Sequence, residues 1–284
     1  MKKLILIATT IVILFGMLQS AQALETTVPQ SALTASNFYY TDSIGGGLGT
    51  QAVMTGGGNA ANVGQVRNDD GFRGPLNLGF QIEFFGMMYD QYWANNNGNI
   101  SFTEGLAQFT PTGVIGASVP VMSPFFADVD TRNASSGVMW IRDDIPNQLI
   151  VTWDQVGYYS SHADLLNSFQ LVLRGPDYPV PVGEGSIGFF YKDMQWETGD
   201  ASGGSGGFGG TPGAVGFGNG TGDGVVLEGS MQNGIAQVVD NTHIWFDPLL
   251  EPIPPPGIPE PVTLLLVGTG LVGLVGFRRK FKRD

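Results

Sequence analysis

Asp128 and Asp130 stand two positions apart in the string Pro124-Phe125-Phe126-Ala127-Asp128-Val129-Asp130-Thr131. Alternation along a strand or its end puts both carboxylates on the same side. With Asn133 and backbone carbonyls they offer the all-oxygen donor set that a hard cation such as Ca²⁺ takes. The EF-hand spacing fails, because Arg132 occupies the third ligand position and no Gly follows it. The competing reading is a plain turn over Asp130-Thr131-Arg132-Asn133, with Asp and Asn bonding the local backbone. Ca²⁺ is the one cofactor the sequence suggests, and none is required.

Other chemistry is poorly supplied. His162 and His243 are the only histidines, which limits general-base catalysis. His162-Ala163-Asp164 reads as a polar loop, and His243, beside Trp245 in a terminal strand, reads as structural. Gly204-Ser205-Gly206-Gly207-Phe208-Gly209 fits G-x-G-x-x-G, and Gly203-Gly204-Ser205-Gly206-Gly207 fits G-x-S-x-G. Both arise by chance where half the residues are Gly, and neither is flanked by the strand and helix its mechanism needs. Acidic residues are plentiful, yet no pair has a spacing that sets the carboxylate separation of a glycosidase. Trp93, Trp140, Trp153, Trp196 and Trp245 could stack on sugar rings, although core packing is the default at strand positions. The sequence is therefore read as non-catalytic, with an extracellular lectin or carbohydrate-active enzyme as the alternative.

The elements that would position these residues are strands. Charged residues make up 13% of the 284-residue chain, and Gly accounts for 43 positions. That composition excludes coiled coils and charged helical bundles. The chain has no Cys, which excludes disulfide frameworks and thiolate metal sites. Short aromatic and β-branched runs bounded by Gly, Pro, Asn or Asp recur from Phe80 to Phe246, the signature of an all-β domain. Strands are predicted at Gln81–Phe85, Asn99–Phe102, Val138–Arg142, Gln148–Trp153, Ser168–Leu173, Ser186–Tyr191, Val215–Phe217 and His243–Phe246. Asn97-Gly98 predicts a two-residue hairpin turn, and Asp143-Asp144 with Pro146-Asn147 predicts a second hairpin. The expected fold is an antiparallel β-sandwich of roughly 8–12 strands with long Gly-rich loops. Residues 24 to about 36 read as a loose leader and 41–66 as a long loop. Gly199–Gly224, with 13 Gly in 26 residues, reads as a floppy excursion.

Charge separates the ends from the body. Residues 24–259 carry 6 basic and 23 acidic side chains, so this part should repel nucleic acid and anionic lipid. Lys2 and Lys3 precede an apolar run, and Ala21-Gln22-Ala23 supplies the small-x-small pattern of a signal-peptidase site. Cleavage there would make Leu24 the first residue. Near the other end, seven prolines fall in residues 248–261, the composition of a stiff spacer. The run Val262 to Phe277 is apolar and Gly-rich, and as a helix it spans about 24 Å, near the thickness of a bilayer core. A basic tail follows, opening with Arg278, Arg279 and Lys280, which places the body outside by the positive-inside rule.

Pro259-Glu260-Pro261, the apolar span and the basic cluster, in that order, resemble the PEP-CTERM sorting signal of Gram-negative bacteria. The resemblance implies recognition by an exosortase, which cleaves near the tripeptide and releases or transfers the protein to the outside. An ordinary single-span membrane anchor is the rival reading, and either one makes the body extracytoplasmic.

A second resemblance covers the body. Asn96-Asn97-Gly98-Asn99-Ile100-Ser101-Phe102, Pro124–Thr131, Gly137-Val138-Met139-Trp140, Ile150–Tyr159, Asn167–Leu173, Phe190–Gly199 and Gly210–Phe217 follow one another as in the nidogen-like (NIDO) domain. That family implies an extracellular module linked to cell–matrix adhesion, with no shared catalytic residues. The expected organisation is a signal peptide at 1–23, a leader and loop/strand region at 24–77 and a nidogen-like domain at 78–247. A Pro-rich linker at 248–258 and the sorting signal at 259–284 follow, the latter with a transmembrane helix at 262–277 and a basic tail at 278–284. The implied processing partners are signal peptidase and exosortase. The expected ligand is extracellular polysaccharide or a matrix protein in a biofilm, and the expected location is the cell surface or extracellular matrix, with transient or permanent anchoring in the inner membrane.

Overall fold

The computed structural model describes residues 24–254. The expected signal peptide at 1–23, Pro259-Glu260-Pro261, the expected transmembrane segment at 262–277 and the basic tail lie outside the described residues. In chain order the strands are β1 (Glu25–Val28), β2 (Thr34–Ala35), β3 (Thr50–Gln51), β4 (Gly56–Gly57), β5 (Gly71–Phe84), β6 (Met87–Asn95), β7 (Asn99–Ser101) and β8 (Pro120–Phe126). They continue as β9 (Val138–Arg142), β10 (Gln148–Tyr158), β11 (His162–Arg174), β12 (Ile187–Met194), β13 (Ala214–Asn219), β14 (Gly224–Leu227) and β15 (Thr242–Phe246). Two five-residue helices, α1 (Tyr40–Ile44) and α2 (Ile235–Val239), are the α-helices among the described residues. None there is long and apolar enough to cross a membrane.

The strands form two sheets. One has eight strands in the order β1-β14-β13-β8-β7-β6-β5-β4, and the other has seven in the order β2-β15-β12-β11-β10-β9-β3. A single apolar core includes Tyr92, Ile100, Phe125 and Phe217 from the first sheet and Trp153, Phe169, Phe189 and Tyr191 from the second. Trp153 and Phe169 are direct cross-strand partners whose rings stack at 5.0 Å, a pairing that strengthens an antiparallel ladder. Hydrogen bonds tie the sheets together inside this core. Tyr191 Oη donates to Pro124 O at 2.8 Å, and Trp153 Nε1 donates to Asn96 O at 2.9 Å.

Both sheets are also covered on the outside. Tyr40, Ile150, Val172, Phe190 and Trp245 form a separate apolar cluster on the seven-stranded sheet, with Ile253 packed against it. Leu106, Val114, Ala117 and Val119 cover Val121, Phe126 and Ala214 of the eight-stranded sheet. Strands buried on two faces lose the period-two alternation that betrays a half-buried strand. This is why β8, Pro-Val-Met-Ser-Pro-Phe-Phe, escapes a reading by alternation. Its Pro124 would ordinarily argue against a central strand. Here it lies at a bulge, where the register against β13 slips between Ala214↔Phe126 and Gly216↔Ser123, so its missing N–H removes no ladder bond.

Each predicted strand overlaps an observed one, with Phe85, Phe102 and Ser186 falling one residue outside, and the fifteen strands exceed the expected range because short pieces occupy the edges. Such edges limit pairing with other chains. Residues 24 to 36 are no loose leader. β1 runs parallel to β14, Val28 opposite Leu227, and β2 pairs with β15. The Asn97-Gly98 turn is a three-residue loop, since Asn95 pairs with Asn99 and only Gly98 has positive φ, 81°. The glycine-rich excursion is likewise built in. Gly207 O accepts from the N–H groups of Glu197 and Thr198, and a Cβ at Gly207 would fall 2.8 Å from Trp196 Cβ. The buried Glu197 carboxylate in turn accepts Gly234 N at 2.8 Å, at the start of α2. At the far end, Ile253 N donates to Trp245 O at 2.7 Å, so the first residues of the Pro-rich segment fold back on the domain.

Candidate metal centre

Strand ends converge at one end of the sandwich. Asn68-Asp69-Asp70 leads into β5, and Ala127–Thr131 leaves β8. Asn96–Gly98 joins β6 to β7, and Tyr159–Ser161 joins β10 to β11. The 68–70 segment is pinned to the 128–131 segment by backbone: Thr131 N donates to Asn68 O at 3.0 Å, Asn68 N donates to Thr131 Oγ1 at 2.9 Å, and Asp69 and Asp130 form an isolated bridge. Asn97 locks the third segment onto the first two, donating to Asp70 Oδ1 at 2.7 Å and accepting from Val129 N at 3.1 Å.

This convergence brings together Asp69, Asp70 and Asp128, which offer carboxylate oxygens all within 4.8 Å of one another. Asp128 is 1% exposed, and neither of its carboxylate oxygens has a hydrogen-bond partner. Asp69 Oδ1 is also buried and unpartnered, while its Oδ2 meets Arg132 Nη2 at 3.0 Å. Asn96 sits at the same junction: its backbone N–H donates to Gly71 O and its side-chain amide to Val129 O. Its Oδ1 remains buried without a partner. Gly199 closes the back of the site, since a Cβ there would fall 2.6 Å from Asp128 Oδ2.

The sequence-predicted donors divide. Asp128 faces the cluster, whereas Asp130 is spent on Arg132 and on Ser161. It accepts from Arg132 Nε at 2.9 Å and from Ser161 N at 2.7 Å. Asn133 serves its own loop, with Nδ2 donating to Ser161 O at 2.8 Å and Oδ1 accepting Ser135 N at 2.9 Å. Asp69 and Asp70 were missed. They lie far along the chain from Asp128, and the only local signal was the turn-forming run Asn68-Asp69-Asp70-Gly71.

The electrostatics follow from four carboxylates facing one guanidinium. Burial pushes the Asp128 carboxyl up to about 8, reinforced by the negative charges of Asp70, Asp69, Asp130 and Asp200. Burial likewise raises Asp69 to about 7, with Asp70 and Asp130 adding to the rise and Arg132 opposing it. Asp70 is raised by burial, with Asn97 pulling the other way. Buried carboxylates without partners take up protons or a cation.

The histidines hold other positions. His162 opens β11, stacks on Tyr158 at 4.6 Å and meets Asp200 at 2.9 Å on the surface. His243 stacks on Phe190 at 5.1 Å and contacts Ser36 Oγ through Nδ1 at 3.0 Å. Burial lowers its pKa, which makes it a weaker base, and among the described residues no carboxylate bonds its other nitrogen to complete a triad. Trp153, Trp196 and Trp245 are buried, while Trp93 and Trp140 are half-buried.

Comparison with known proteins places this architecture. The family described as NIDO related matches residues 49–248, and the PEP-CTERM protein-sorting motif matches residues 257–280. Alpha-tectorin of Mus musculus is 31% identical over 183 residues, covering 54% of this chain and 8% of that protein, and alpha-tectorin of Homo sapiens matches equally. Nidogen of Drosophila melanogaster is 25% identical over 157 residues, covering 45% of this chain and 11% of that protein. The chain thus spans about a tenth of the length of these relatives. No solved structure matches.

Proposed function

The chain belongs to the NIDO-related family, and from that premise we propose that it is a non-catalytic surface protein acting in cell–matrix adhesion or biofilm and exopolysaccharide association. Its PEP-CTERM motif implies processing by an exosortase and export to the cell surface or extracellular space. The observation that carries the proposal is the coincidence on one chain of a NIDO-related domain at 49–248 and that sorting motif at 257–280. A sorting signal serves a protein whose place of work is outside, and a rigid two-sheet domain on a Pro-rich spacer suits recognition of an extended partner. The expected partner is a matrix polysaccharide or matrix protein, and the C-terminal apolar segment holds the chain in the membrane until it is processed.

Intact mass of the protein recovered from the cell surface and the medium tests the sorting half. The expected product starts at Leu24 and ends near Pro259-Glu260-Pro261. A chain that retains Val262–Asp284 would make it a membrane-tethered module. Co-sedimentation of the recovered protein with exopolysaccharide from the same cells tests the adhesion half. Loss of biofilm mass on gene deletion, with co-sedimentation, supports it, whereas the absence of both effects refutes it.

A further inference from the structure

We propose that Asp69, Asp70 and Asp128, with Asn96 Oδ1, form a calcium site that clamps the segment entering β5 to the segment leaving β8. The donors are oxygens only, and their carboxylate atoms lie within 4.8 Å of one another, a spacing at which one ion can touch all three. Asp128 presents two buried, unpartnered oxygens and Asp69 one, and Asn96, held at the same junction by Val129 O and Gly71 O, has a buried, unpartnered Oδ1 as a neutral donor. Asn96 is fully buried, and among the described residues no hydrogen bond satisfies that oxygen.

Charge argues the same way. Asp69, Asp70, Asp128 and Asp130 face Arg132 alone, and Arg132 is committed to Asp130 and Asp69. With all four ionised, three negative charges are left over, and burying such charge is costly unless a cation balances it. A divalent ion leaves the cluster near neutrality. Ca²⁺ fits better than Mg²⁺, because Ca²⁺ accepts six to eight oxygens in irregular geometry and bidentate carboxylates, whereas Mg²⁺ demands a near-ideal octahedron and keeps its waters. The cluster is also reachable, since Asp69 and Asp70 are only half-buried. A loop-built site of this kind in an extracellular module binds Ca²⁺ with a Kd on the order of 10⁻⁴–10⁻³ M.

The proposal is tested on the protein as exported, stripped with EDTA and titrated with CaCl₂ by calorimetry and thermal unfolding. One Ca²⁺ per chain is expected, with a midpoint rise of about 5–10 °C once Ca²⁺ reaches about 100 times its Kd. Asp128→Asn should abolish both responses, while Asp177→Asn, at an exposed position remote in sequence, should leave them intact. Asp70→Asn repeats the test should Asp128→Asn fail to fold. The site is overturned if wild type shows neither heat nor midpoint shift, or if the shift survives in Asp128→Asn or Asp70→Asn. These outcomes are independent of whether the domain acts in adhesion.

Discussion

Truncating Val28 measures whether the segment that follows the expected cleavage site is structural. Val28 ends β1, pairs with Leu227 of β14 and is 3% exposed within the main core. Replacing it with Ala removes two buried methyl groups at about 0.8 kcal/mol each, and the cavity left behind brings the cost to about 2 kcal/mol. For a domain of this size that lowers the thermal midpoint by about 4–8 °C. Thr26 lies in the same strand but is exposed, so Thr26→Ala should change stability by less than about 0.5 kcal/mol. Guanidinium unfolding followed by tryptophan fluorescence reads the difference, because Trp153 and Trp196 are fully buried and report loss of the core. Coincident midpoints for the two variants would mean that β1 frays without consequence, and the reasoning would fail.

Gly98 carries φ 81° and its Cα faces the backbone carbonyl of Phe125. Gly98→Ala should therefore cost more than about 2 kcal/mol, and a near-neutral urea midpoint would contradict the turn geometry. Tyr191→Phe strands the buried Pro124 carbonyl, with an expected loss of about 1–2 kcal/mol in denaturant titration; no loss would show that the bond ties nothing. His243 has a lowered pKa in the fold because of burial. Its contribution is present above its unfolded pKa of about 6.5 and is lost as pH falls below it. His243→Phe should therefore lose less stability than wild type between about pH 7 and pH 5, and parallel curves would refute the assignment. Leu24 N lies 2.8 Å from Asp223 Oδ1, so cleavage after Ala23 turns this contact into an ion pair worth less than about 1 kcal/mol at the surface. Asp223→Asn should weaken the mature protein more than one extended before Leu24; equal losses in the two backgrounds would sink the idea.

The sequence by itself determined what depends on short-range pattern. Aromatic and β-branched runs marked β9 to its ends and located seven other strands. Ordered tracts marked the sorting motif, and local strings such as Asn96–Phe102 carried the family resemblance. These signals survive without a partner because each is written within a few consecutive residues. Only the tertiary structure decided the rest. β1, with its exposed Glu-Thr-Thr, is a strand because β14 offers it a free edge, and β8 reads as featureless because both of its faces are covered. Asp130, an attractive ligand by alternation, is taken by Arg132 and Ser161. Asp69 and Asp70 meet Asp128 only because β5 and β8 lie in one sheet and leave it at the same end. Pairing across long loops is settled by burial and hydrogen-bond satisfaction of the whole chain, and no local window of sequence contains that information.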